Sequence, residues 1–453
     1  MKEEYCDIRK NLKTEIMAQM PPDRIYSDEE ILQIIESRIQ NKSQEVYMSI
    51  MTKLSLKQEL FNSIRRLDLL QELLDDDEIT EIMVNGGGAI FYEKGGRLYP
   101  WDKKFESTEK LEDVIQQIVS RSNRQVNEAS PIVDARLEDG SRVNVVLKPV
   151  AIDGPILTIR KFAREAVTMD RLVRWGSLTL EAAHFLEKLV IAGYNIFISG
   201  STGSGKTTML NALAGYIPAD QRVITIEDSA ELQIQGIRNL VRLEVRNANA
   251  DGENAVTIRD LIKSSLRMRP DRLLVGEVRG PEAIDMLQAM NTGHDGSIST
   301  GHANSVSDMM SRLETMVLMG TDIPLEAIRH QIASSIDLVI HLGRLRDRTR
   351  KVLEITEIVG YEGGEILYNP LYKFEEDSLI KETGRYGSLA KNGGGSWKVD
   401  TSKVIGRLKP TGNTLVHTQK LKAAGLPVFS ETSSKDSEYS SSYSHSDGLE
   451  YRV

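Results

Sequence analysis

The chain has 453 residues, too many for one ordinary hydrophobic core and enough for about three units at roughly 150 residues per domain. Its 57 basic and 66 acidic side chains leave a formal net charge of -9, which excludes bulk electrostatic attraction to nucleic acid, since that binding rests on neutralising phosphates. A single cysteine, Cys6, excludes a disulfide framework and a cysteine-based zinc site, and fits a reducing, cytosolic setting.

Residues 1–62 are highly charged with scattered apolar positions such as Ile31, Leu32, Ile34 and Ile35, and read as a helical N-terminal extension lying outside a core. Met1 to Lys13 mixes charges of both signs and has no apolar run of the kind a secretory signal needs. Residues 63–165 predict a smaller α+β N-terminal domain, PAS-like in outline. Its first helix carries Leu67, Leu69, Leu70, Leu73 and Leu74, and strands over Glu81–Val84 and Ala89–Tyr92 flank the turn Asn85-Gly86-Gly87-Gly88. A helix over Thr108–Ser120 places Leu111, Val114, Ile115 and Ile118 on one face. A hairpin then joins Ile132–Leu137 to Arg142–Leu147 through Glu138-Asp139-Gly140, and Ile156–Arg160 adds a strand.

From residue 166 to 365 the cadence is that of an α/β domain with a largely parallel sheet, RecA-like in order. Strand candidates are Asn195–Ser199, Arg222–Ile226, Arg272–Val278, Gly296–Thr300 and Leu338–Leu342, separated by helical segments. The uncharged stretch Leu189–Gly205 contains Asn195 and falls short of the ~20 apolar residues that span a bilayer, so it reads as a buried strand. Residues 366–426 form a strand-rich C-terminal extension. The tail, 427–453, is rich in serine, has almost no aliphatic side chains and is expected to be disordered.

The run Gly200-Ser201-Thr202-Gly203-Ser204-Gly205-Lys206-Thr207 has the spacing of a phosphate-binding P-loop and sits between an apolar strand and a helix bearing Met209, Leu210, Leu213, Ala214 and Ile217. Glycines let successive N–H groups turn inward around a phosphate, and the helix N-terminus favours the same anion. Lys206 reaches the β- and γ-phosphates in such a loop, and Thr207 offers a hydroxyl to Mg²⁺, so the cofactors expected are ATP and Mg²⁺, with contacts extending to Thr208.

Ordinary P-loop ATPases carry an aspartate for the metal and then a glutamate for the attacking water at the end of a neighbouring strand. Here Leu273-Leu274-Val275-Gly276-Glu277 supplies the glutamate but has glycine in the aspartate's place, and Ile226-Glu227-Asp228 with Glu231 offers carboxylates to replace it at the metal. The glycine-rich segment Thr292 to Ser305 holds His294 and His302, both candidates to hydrogen-bond the γ-phosphate or the groups around it.

These boxes, with Arg269-Pro270-Asp271 leading into Val275 to Ala283, resemble in content and order the Walker A, Asp box, atypical Walker B and His box of the type II/IV secretion-system ATPases. Glu81 to Gly86, Asp139-Gly140-Ser141-Arg142, Asn291 to His302, Gly406 to Gly412 and Ala424-Gly425-Leu426 resemble the CpaF-type branch of Tad/Flp pilus assembly. Gly301 departs from the wider family, where many members carry a larger apolar residue before the histidine. The resemblance implies a homo-hexameric cytoplasmic motor at the cytoplasmic face of the inner membrane. Such a motor turns ATP hydrolysis into rotation of its N-terminal domain and passes the work to inner-membrane platform proteins that assemble a pilus or export a substrate. Membrane association is then peripheral, through those partners, with no direct nucleic-acid contact. In such families arginines from the N-terminal domain close on the phosphates, and Arg136, Arg142 and Arg160 are the candidates.

Two rival readings are a RecA-like nucleic-acid motor, favoured by the basic run Gly343 to Lys351, and a scaffold that binds ATP without hydrolysing it, which Glu277 and Glu227 argue against.

Overall fold

The computed structural model describes residues 2–428 apart from 22, 87, 123, 163–165, 247–252 and 378–403. The serine-rich tail from residue 429 therefore lies outside the described residues, as does part of the strand-rich extension. The chain divides into two compact units, Met1–Arg164 and Glu165–Val453.

The first unit opens with three helices, α1 (Lys2–Ala18), α2 (Asp28–Glu45) and α3 (Ile50–Arg65). Ser27 begins α2 through a capping box with Glu30, and Ser49 caps α3, each satisfying a backbone donor that the first turn leaves open. Ile31, Ile35 and Ile39 recur on one face of α2 and pack with Leu12 and Ile16 of α1 and Leu56, Leu60 and Phe61 of α3. The extension thus owns a small core, which its charge-rich sequence conceals.

After α4 (Leu70–Asp75) come β1 (Ile79–Asn85), β2 (Ala89–Lys94), β3 (Arg97–Trp101), α5 (Thr108–Arg121), β4 (Ile132–Arg136), β5 (Arg142–Val146) and β6 (Ile156–Arg160). The strands form one sheet in the order β3-β2-β1-β6-β5-β4, antiparallel throughout. The apolar face of α5 meets Ile82, Val84, Val143, Val145, Leu157 and Ile159 of this sheet. Register sets Arg136 opposite Arg142, Arg142 opposite Arg160, and Arg160 opposite Glu81. Directly paired residues share a face, so the three arginines form one transverse row.

The second unit contains α6 (Met169–Arg174), α7 (Leu180–Ile191), β7 (Ile196–Gly200), α8 (Lys206–Ala214), β8 (Arg222–Glu227), β9 (Asn239–Glu244), α9 (Ile258–Ser265), β10 (Arg272–Val275), α10 (Glu282–Asn291), β11 (Ile298–Gly301), α11 (Val306–Leu318) and α12 (Leu325–Ser335). It continues with β12 (Leu338–Arg344), β13 (Arg350–Glu362), β14 (Glu365–Glu376), β15 (Gly406–Pro410) and α13 (Gln419–Ala423). The nine strands run β15-β14-β13-β12-β7-β11-β10-β8-β9, parallel from β12 to β9 and antiparallel on the other side.

Strand β7 is buried along its whole length because both faces are covered. Ile196 and Ile198 pack with Leu186, Leu189, Leu210 and Leu213 of α7 and α8, while Phe197 faces Leu287, Met309 and Leu313 of α10 and α11. This is a RecA-like α/β domain preceded in the chain by a smaller α+β domain. Strand β9 was not among the sequence candidates, since charged residues interrupt it at an edge, and β10 stops at Val275 rather than Val278. Among the described residues no helix is long and apolar enough to cross a membrane.

The segment after β15 returns to the N-terminal end of β7. Lys420 Nζ lies 2.7 Å from both Asp295 Oδ1 and Asp337 Oδ2, and Tyr194 donates its hydroxyl to the His417 carbonyl. Glu357, 1% exposed, accepts from the His417 amide at 2.7 Å, from the Val416 amide at 2.9 Å and from Asn369 Nδ2 at 2.8 Å. Glu357→Ala strands these donors and is expected to destabilise the unit by about 3 kcal/mol in chemical denaturation. A loss within experimental error of zero would show that the carboxylate does not hold this segment.

Candidate active site

The P-loop leaves the C-terminal end of β7 and enters α8. At Gly200 a Cβ would stand 2.5 Å from the Leu342 carbonyl oxygen and 2.6 Å from Ser204 Oγ, so no larger residue fits. Gly205, at φ +97°, takes the left-handed conformation that begins the helix. Lys206 is 8% exposed, and its ammonium donates to the carbonyls of Gly200 at 3.2 Å and Ser201 at 3.1 Å.

The same ammonium lies 3.2 Å from His302 Nδ1, and His302 Nε2 lies 2.7 Å from Glu277 Oε1. Parallel pairing explains the proximity: β11 runs beside β7 with Gly301 opposite Ser199, so the residue after β11 falls next to the loop after β7. Burial pushes the His302 pKa below its ordinary value, the Glu277 carboxylate opposes that shift, and Lys206, Arg279 and Arg312 add to it. A neutral imidazole carrying its proton on Nε2 accepts from Lys206 at Nδ1 and sets its other edge beside the Glu277 carboxylate, whose buried Oε1 has no hydrogen-bond partner. Thr202 Oγ1 also approaches Nδ1, at 3.4 Å.

Glu277 follows β10 and receives Arg279 Nη2 at 2.7 Å on its other oxygen. Gly276, just before it, packs against Glu227 at the end of β8: a Cβ there would be 3.1 Å from Glu227 Cγ. Glu227 is 3% exposed, and its Oε2 accepts the amides of Glu231 at 2.6 Å and Leu232 at 2.8 Å. Its Oε1 is buried without a hydrogen-bond partner. Burial raises the Glu227 pKa, restrained by those two amides and by Arg242.

The residues present fit a nucleotide and its metal. A buried lysine and a helix N-terminus suit phosphate oxygens, Ser204 Oγ is buried with no partner, and the orphaned Glu227 oxygen suits a hard cation or its water. Asp228 is exposed, and among the described residues no three His, Cys, Asp or Glu converge into a metal cage, so Glu227, Asp228 and Glu231 do not form one. Thr207 and Thr208 lie in the first turn of α8.

His294 is a correction to the sequence reading. It precedes β11 at the opposite end from His302, with Nδ1 3.1 Å from the Ala289 carbonyl oxygen, and is not brought to the P-loop. Gly301 also has its explanation, because a Cβ there would lie 2.9 Å from Met309 Cε and 3.0 Å from Phe197 Cε1. Two residues given no role beforehand stand at the site, Arg279 on Glu277 and Arg350, whose Nε donates to the Gly203 carbonyl at 2.8 Å. Arg136, Arg142 and Arg160 belong to the first unit, in the row described above.

A family model described as "Type II/IV secretion system protein" matches residues 65–387. The chain belongs to that family. It is 33% identical over 316 residues to the type IV secretion system protein PtlH of Bordetella pertussis, covering 64% of this chain and 93% of the relative. It is 31% identical over 316 residues to the conjugal transfer protein TrbB of Rhizobium radiobacter, covering 69% and 94%. The fold is similar to that of the ATPase DotB from Yersinia pseudotuberculosis, at 18% identity and a TM-score of 0.50, covering 64% of this chain and 78% of that one.

Gly276→Asp tests why a glycine replaces the usual aspartate. The added side chain crowds Glu227 and sets a second carboxylate against a buried one, so a loss of about 1–3 kcal/mol in unfolding free energy is expected. Wild-type stability would show that Glu227 has room to move aside.

Proposed function

We propose that the chain is an ATP-hydrolysing motor that powers pilus assembly or secretion, with the Tad-type pilus branch as the best match to its motifs. The observation that carries this reading is the continuous line from Lys206 through His302 to Glu277. On this reading it sets the lysine assigned to the β- and γ-phosphates and the glutamate assigned to the attacking water on either side of one imidazole.

In this mechanism the P-loop amides and Lys206 hold the phosphate chain, and Glu277 orients a water for in-line attack. Mg²⁺, when bound near Thr207 and Glu227, would neutralise charge on the phosphate oxygens. Asp228 and Glu231 would act through its waters. His302 exchanges its contact with Lys206 for the γ-phosphate and so couples hydrolysis to Glu277. Arg136, Arg142 and Arg160 supply guanidinium groups to the γ-phosphate, and their shared row supports a joint role. A homo-hexamer at the cytoplasmic face of the inner membrane, gripping platform proteins, is the assembly this reading requires.

The reading as a nucleic-acid motor draws on names such as that of TrbB and on the basic run before Lys351. Here the run is committed elsewhere: Arg346 pairs with Glu376, Arg350 donates to Gly203, and Lys351 Nζ donates to the Gly176 carbonyl at 2.5 Å. The motor acting on a pilus or secreted protein is therefore preferred.

Nucleotide binding and steady-state turnover, measured on three variants, separate the roles. Lys206→Ala should lose both. Glu277→Gln should keep ATP bound and lose turnover by a factor on the order of 10² to 10⁴. Arg142→Ala should bind ATP nearly normally and turn over slowly. Unimpaired nucleotide binding in Lys206→Ala would refute the phosphate site, and near-normal turnover in Glu277→Gln would move the water-orienting role to Glu227 or Glu231.

A further inference from the structure

A second cluster of cations lies within the first unit, where α1 and α3 meet the start of α5. A cavity of about 30 Å³, room for two or three waters, is lined by Arg9, Lys10 and Lys13 of α1, Ser63 of α3, Asp68, Glu106 and Lys110 of α5. Four cationic side chains face two carboxylates there. Arg9 takes Glu106 in an ion pair and also lies 3.8 Å from Glu59 Oε2 outside the cavity, and Lys110 Nζ lies 3.5 Å from Asp68 Oδ2. Among the described residues neither Lys10 nor Lys13 has an ion pair.

Lys13 Nζ donates to Ser63 Oγ at 2.5 Å, and Ser63 in turn donates to Asp68 Oδ2 at 3.1 Å. Lys110 lines the same cavity and its charge bears on Lys13, a pairing of like charges that costs free energy unless one is neutral or an anion lies between them. Asp68, 7% exposed, is held in a left-handed backbone conformation at φ +53°, so its carboxylate is fixed on one wall. A carboxylate ligand would present two oxygens and one charge. A phosphoryl group presents three oxygens and up to two charges, which matches the excess of cations and their approach from two helices.

We propose that this pocket binds a phosphoryl group, held between Lys13 and Lys110 with Lys10 at the exposed mouth. The site is separate from the P-loop and does not depend on the function assigned to it. Lys13 supports the assignment, since burial and the Lys110 charge push its pKa down to about 8 against the opposing pull of Asp68 and Glu106. An anion reverses that shift, so binding near pH 8 draws a proton from solvent.

Inorganic phosphate is the first probe, titrated calorimetrically at pH 8 into full-length Lys206→Ala protein, in two buffers of different ionisation enthalpy. One phosphate per chain and net proton uptake are expected. Lys13→Met and Lys110→Met should each weaken binding about tenfold or more and abolish the uptake, while Lys110→Arg should retain binding and controls for folding. Vesicles of phosphatidylcholine with and without phosphatidic acid distinguish the source. Co-sedimentation that needs phosphatidic acid and Lys13 identifies a lipid phosphate, and phosphate binding without it identifies a soluble one. Absence of any phosphate or phosphatidic acid binding, or binding unchanged in folded Lys13→Met and Lys110→Met, overturns the proposal.

Discussion

The second unit depends on one arrangement, a buried ammonium and a carboxylate joined through a neutral imidazole. Lys206 is taken almost wholly out of water, which is costly for a cation unless its donors are satisfied. Two loop carbonyls and His302 Nδ1 satisfy them, and the far side of the ring lies 2.7 Å from Glu277 Oε1. A protonated imidazole would set a second cation 3.2 Å from the first, so the geometry itself favours the neutral ring.

Everything else at the site keeps that line in register. The sheet sets His302 beside the P-loop by pairing β11 with β7, and Gly301 lets β11 lie close to Met309 and Phe197. Gly276 leaves space for Glu227 to approach from β8 and be gripped by two amides, so the glycine at the usual metal position and the carboxylate one strand over are one feature. At the other end of β7, Tyr194 and Asp337 tie the strand to the C-terminal segment through His417 and Lys420. The central strand is thereby anchored at both ends, a condition for holding reacting groups to within fractions of an ångström.

Much of this was legible in the sequence, because the P-loop joins a local motif to the context it requires, an apolar strand before it and an amphipathic helix after it. The glycine-for-aspartate exchange at 276 and the acidic pair at 227 and 228 were legible for the same reason. His294 and His302 were not separable, because both flank one short strand and only its direction in the sheet decides which one meets the phosphate site. Strand β9 escaped because Arg242 and Glu244 interrupt its alternation at a sheet edge, and β3 because it is only five residues long and contains Pro100. The core under α1 to α3 was hidden by the charge density around a few isoleucines. Arg279, Arg350 and the alignment of Arg136, Arg142 and Arg160 arise from register and loop geometry, which no local pattern encodes.

The state of the His302 ring is the most direct test of the account, read by ¹⁵N NMR of the selectively labelled histidine as pH is varied. The account predicts a neutral ring protonated on Nε2 at pH 6.5, a pKa lowered further in Glu277→Gln, where the opposing carboxylate is gone, and raised in Lys206→Ala, where the neighbouring cation is gone. An ordinary histidine titration that neither substitution moves would contradict it.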